Sequence, residues 1–107
     1  MKKSIKDLLK IPGVHGYVIS QDKRVQIKLP SKHPFAGAKE QFQELYAALA
    51  LTQQRPGNIV EIFLEDLTLT VFPNTDRMLT VVSSSQVNQA FVRMTGKLLI
   101  ADMNKES

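Results

Sequence analysis

The chain has 107 residues, of which 43% are hydrophobic and 22% charged, with no cysteine and a formal net charge of +4. That length supports one hydrophobic core and not two, so residues 1–107 are expected to form a single domain. The composition excludes a disordered chain, a disulfide framework and any thiolate metal site.

Charge is distributed unevenly. Residues 1–40 carry nine Lys or Arg against three Asp or Glu, while residues 41–107 carry five against seven. A basic N-terminal part is attracted to any polyanion, whether lipid, nucleic acid or acidic protein. A solvated lysine-rich surface is the plainer reading. Around Lys2, Lys3, Lys6 and Lys10 only Ile5, Leu8 and Leu9 are strongly apolar, which is not the apolar block of a secretory signal. No apolar run reaches the roughly 18 residues of a membrane span, and the expected location is the cytoplasm.

Ser4 is placed to cap a short helix from Ile5 to Lys10, in which Ile5, Leu8 and Leu9 share one face; Pro12 and Gly13 end it. Val14 to Ser20 and Arg24 to Leu29 read as strands joined by a turn at Gln21, Asp22 and Lys23. In the second, Val25, Ile27 and Leu29 alternate with Arg24, Gln26 and Lys28, the pattern of a strand with one wet face. Pro30 to Pro34 form a loop, because neither proline continues a sheet ladder.

From Phe35 to Gln53 the period becomes helical, with Phe35, Ala38, Phe42, Leu45, Tyr46 and Leu49 on one stripe. A shoulder of Ala36, Ala47 and Ala50 lies beside it, and small side chains permit close approach of another helix. Arg55, Pro56 and Gly57 break the chain. Ile59 to Leu64 then reads as a strand buried on both faces, its apolar run interrupted only by Glu61. At a free edge such a strand would template aggregation, so it is expected to be covered or paired with a partner.

Glu65 and Asp66 turn the chain into a strand where Leu67, Leu69 and Val71 alternate with Thr68 and Thr70. Pro73, Asn74, Thr75 and Asp76 supply the next turn, and Met78 to Val82 returns as a strand. Ser83 and Gln86 have the spacing of a capping box ahead of a final helix reaching about Met103. Val87, Ala90, Phe91, Met94, Leu98 and Ala101 form its main apolar stripe. Val92, Leu99 and Met103 gather elsewhere on the cylinder and call for cover by the N-terminal helix, with Gly96 opposite the main stripe. The order is α-β-β-α-β-β-β-α, an α+β fold with a mainly antiparallel five-stranded sheet and helices on both faces.

In that order and spacing the chain resembles the roadblock/dynein light chain domain family over essentially its whole length. The residues that carry the resemblance are Leu8, Leu9, Ile11, Pro12, Gly13, Val14 and Gly16, the strand Tyr17 to Ser20, and the runs Leu67 to Pro73 and Met78 to Ser83. One departure is the first turn, where Asp22 is followed by Lys23 instead of glycine. The resemblance implies a roadblock/profilin-like fold that pairs as a homodimer through the third strand, making a ten-stranded sheet with the two central helices side by side. Carried over, the interface would use Phe42, Leu45, Tyr46 and Leu49 with Ile59, Glu61 and Phe63. Family members serve as dynein subunits, as scaffolds for Ras-like GTPases and, in bacteria, as activators of such GTPases.

Catalytic constellations are weak by comparison. His15 and His33 stand without a cluster of carboxylates, short of the three or four placed donors of a zinc site. Ser83, Ser84 and Ser85 lack a G-x-S-x-G elbow and read as capping hydroxyls, and Glu61, Glu65 and Asp66 as solvated charges of a hairpin. Tyr17 and Phe35 lie near basic residues but read as core rather than as base-stacking platforms. No G-x-x-x-x-G-K-[ST] loop is present, so action on a GTPase would come from outside, with Arg55 as a candidate contact cation.

The expectation is therefore a homodimeric, non-enzymatic interaction module, without cofactor or metal, that regulates or scaffolds a small Ras-like GTPase. The alternative is a nucleic-acid or anionic-surface binder using the basic N-terminal segment.

Overall fold

The computed structural model describes residues 5–21, 24–51, 58–73 and 77–106, with the side chains of the last helix as far as Ala101. Its elements are α1 (Ile5–Leu9), β1 (Val14–Gln21), β2 (Arg24–Lys28), α2 (Lys39–Leu51), β3 (Val60–Phe63), β4 (Leu67–Pro73), β5 (Arg77–Ser84) and α3 (Gln89–Glu106). The strands form one antiparallel sheet in the order β2-β1-β5-β4-β3. The expected element order and five-stranded α+β architecture are both present. The turn around Asp22 and Lys23, the cap at Ser4 and the segment containing Arg55 lie outside the described residues.

Strand alternation divides the core into two halves, one on each sheet face. On one, Val18, Val25, Leu69, Val71 and Val82 meet Phe42 and Tyr46 of α2. On the other, Phe72, Leu79 and Val81 meet Leu8 and Ile11 from the α1 segment and Val92, Leu99 and Ile100 of α3. Gly13, at φ 93°, makes the sharp entry into β1; its carbonyl accepts from the Ser84 N–H at 2.8 Å, and an L side chain would be strained there.

Three local expectations are corrected. The central helix starts at Lys39 rather than Phe35, because successive turns carry residues 31–37 and Gly37 is a poor helix former. The last helix is capped by Asn88, whose Oδ1 accepts from Phe91 N–H at 3.3 Å, and not by Ser83. Ser83 is fully buried in β5 and its hydroxyl donates to the Thr68 carbonyl at 3.3 Å, since strand pairing extends that far. The third concerns the face of α3. Val92, Leu99 and Ile100 are the residues against the sheet, with Gly96 among them, whereas Phe91, Met94 and Leu98 point away from it.

Candidate interaction surface

The two sheet edges differ in chemistry. On β2 the exposed side chains are Arg24, Gln26 and Lys28, the charged guard common on free edges. On β3, Val60 and Ile62 pack into the α2 half of the core, Glu61 turns to the α3 side, and Phe63 is 71% exposed. Leu64 follows, also exposed, so β3 is an edge without lysine, proline or outward charge. The expectation that both faces of this strand are buried is corrected: Val60 and Ile62 half-bury the α2 face, while the other face carries half-buried Glu61 and exposed Phe63.

The residues carried over as an interface fall into two groups. Phe42 and Tyr46 are buried within the protomer against its own sheet, and Glu61 accepts from Gln89 Nε2 at 2.6 Å and pairs with Arg93 across to α3. Their side chains are thus occupied inside the fold. Leu45, Leu49 and Ile59 are half-buried, and Phe63 is open. The alanine shoulder is exposed at Ala47 and Ala50 and ends in Leu51, 85% exposed, which the stripe argument passed over because it lies off the apolar stripe. An unexplained leucine outside the inward face was the available signal.

Several polar groups elsewhere have structural partners. Tyr46 Oη and Thr80 Oγ1 share a buried hydrogen bond of 2.5 Å, and burial pushes the tyrosine hydroxyl up to about 12, with the Thr80 bond acting in the opposite direction. The two histidines, 18 residues apart in the chain, are brought together: His15 Nδ1 and His33 Nε2 are 3.0 Å apart. Phe35 N–H donates to His33 Nδ1 at 3.0 Å, which leaves Nε2 as the proton-bearing nitrogen of neutral His33 and His15 Nδ1 as its acceptor. Burial, and then the charge of His15, hold His33 below the usual imidazole value. A nitrogen that donates in this way is a poor metal ligand. A depression of about 470 Å³ beside β1 and β2 has Ile19, Gln21, Arg24 and Gln26 among its described lining residues, and these four offer no nucleophile or acid–base pair.

No family model matches the chain, and no curated protein matches it in sequence. Its fold is nevertheless shared with solved structures. The crystal structure of a Roadblock/LC7 domain from Streptomyces avermitilis superposes with a TM-score of 0.71 at 15% identity, covering 94% of this chain and 92% of that one. MglC from Myxococcus xanthus superposes with a TM-score of 0.61 at 12% identity, covering 95% and 94%. The chain has the Roadblock/LC7 fold, as the resemblance in its sequence implied.

Proposed function

We propose that the protein is a cytoplasmic homodimeric interaction module that binds a small Ras-like GTPase as its regulator or scaffold and performs no covalent chemistry itself. The observation that carries this reading is the undefended β3 edge with its exposed Phe63, opposite an edge that is guarded by charge. Antiparallel pairing of two β3 strands about a two-fold axis normal to the sheet would satisfy their free backbone groups and give a ten-stranded sheet. It would also set the two α2 helices side by side, where Ala47 and Ala50 allow close approach and Leu51 gains cover. The GTPase follows from the resemblance of Leu8 to Gly16 and the later strand runs to a family whose members hold or activate such proteins. With no phosphate-binding loop of its own, the module would act on the partner's switch loops from outside.

The test is affinity capture from the cell of origin with the wild type and a Phe63→Glu variant. A P-loop GTPase enriched by the wild type and lost with the variant is the expected result. Capture without any GTPase would remove the partner assignment, and equal capture by both proteins would separate partner binding from the dimer.

A further inference from the structure

Helix α3 has two apolar arcs, and the sheet uses only one. Phe91, Met94 and Leu98, at i, i+3 and i+7, form a ridge on the outer side, 49%, 52% and 45% exposed. A helix that is apolar on both sides is normally covered on both. The surroundings of the ridge are basic. Helix α1 packs beside α3 and contributes exposed Lys6 and Lys10, α3 itself contributes Lys97, and strand register puts Arg24 and Lys28 of β2 on the same sheet face. Two described acids on this side are engaged: Asp7 lies 4.0 Å from Lys10, which offsets that lysine, and Glu61 pairs with Arg93. On the opposite side, α2 exposes Lys39, Glu40 and Glu44, so the positive potential belongs to the α1/α3 side.

Shape favours a planar partner. The protein is broad and shallow, 33 × 32 × 21 Å, and its basic groups run from α3 across α1 to the far edge strand β2. A single partner helix covers a strip about 10–12 Å wide and would leave much of that charge unmatched.

We propose that the α1/α3 face is a docking surface for an anionic phospholipid membrane, with Phe91, Met94 and Leu98 entering the headgroup–acyl boundary while the flanking lysines and arginines meet lipid phosphates. Apolar insertion and lysine attraction are the two components of interfacial helix binding. One part of the argument rests on the dimer proposed above: a two-fold axis normal to the sheet turns both α3 ridges toward the same plane, so both copies engage one bilayer and avidity multiplies a weak contact.

Co-sedimentation of the full chain with vesicles of phosphatidylcholine alone, and of phosphatidylcholine with phosphatidylglycerol, tests it. Pelleting with the anionic vesicles only, weakened by added salt and reduced about fivefold or more by either Phe91→Ser or Met94→Ser with unchanged circular dichroism, is expected. Absence of pelleting with anionic vesicles overturns the proposal. So does pelleting that ignores both ridge variants, which would assign the lysines a general affinity for polyanions. Saturable binding of an acidic amphipathic peptide without vesicle binding would assign the face to a protein and overturn it equally. Light scattering on the same samples keeps the two proposals apart. A monomer that pellets with dependence on Met94 upholds the docking face without the dimer, and a dimer that fails to pellet overturns the face alone.

Discussion

Gly96 of α3 rests against the ring of Phe72 on β4, so closely that a methyl group at Gly96 would stand 2.2 Å from Phe72 Cζ and 2.5 Å from Cε1. The glycine costs the helix about 1 kcal/mol of propensity relative to alanine. Overpacking a close-packed core costs about 1–3 kcal/mol, and a 2.2 Å approach is well inside any non-bonded contact, so the clash outweighs the propensity. Gly96→Ala should lower stability by about 1–2 kcal/mol in urea titration, and Phe72→Leu should relieve part of that loss when combined with it. A raised midpoint for Gly96→Ala would contradict this packing.

The Tyr46–Thr80 hydrogen bond ties α2 to β5. Tyr46→Phe removes the hydroxyl and leaves the buried Thr80 without that partner, a loss of about 1–2 kcal/mol. A pH signature accompanies it. The hydroxyl is raised from 10.0 to about 12 in the fold, so unfolded chains ionise first. Its contribution is fully present below pH 10 and is lost as the pH rises toward 12. Stability of the wild type should fall more steeply than that of Tyr46→Phe over this interval, as read by urea titrations at each pH; parallel curves would count against a buried hydroxyl.

At His33 the direction is opposite. The Phe35 N–H bond accepted at Nδ1 requires a neutral ring, and burial with the charge of His15 keeps its value below 6.5. The stabilising contribution is therefore present above pH 6.5 and is lost as the pH falls through the lowered folded value. The wild-type melting temperature should drop as the pH falls below the ordinary imidazole value of 6.5, and His33→Asn should flatten that drop. An equal decline in both proteins would mean that the pair does not sense protons.

The order of elements along the chain and the five-stranded α+β architecture were legible in the sequence because alternation at Val25, Ile27 and Leu29 or at Leu67, Leu69 and Val71 marks strands with one face turned to a core, whereas the order of the strands within the sheet was not. The inner face of α3 was not. Phe91, Met94 and Leu98 match a helical stripe as well as Val92, Leu99 and Ile100 do, and the choice was made by shape: the sheet admits the arc containing Gly96, where Phe72 needs room. Ser83 looked like a cap until strand pairing with Thr68 claimed it. The histidine pair joins positions 18 residues apart, a contact that no local pattern encodes. At the candidate interface, the undefended strand was readable from its lack of charge, but Phe42 and Tyr46 fit an inward stripe and an intersubunit stripe equally well, and only packing assigns them to the protomer core.

In the proposed dimer β3 and the outer flank of α2 meet a second copy of the chain. Light scattering at micromolar concentration tests it most directly. A species of twice the 12.0 kDa chain mass is expected for the wild type, converted by Phe63→Glu or Leu51→Glu to the 12.0 kDa protomer with its circular dichroism retained. A wild type found only at 12.0 kDa, or a dimer indifferent to both substitutions, would contradict it.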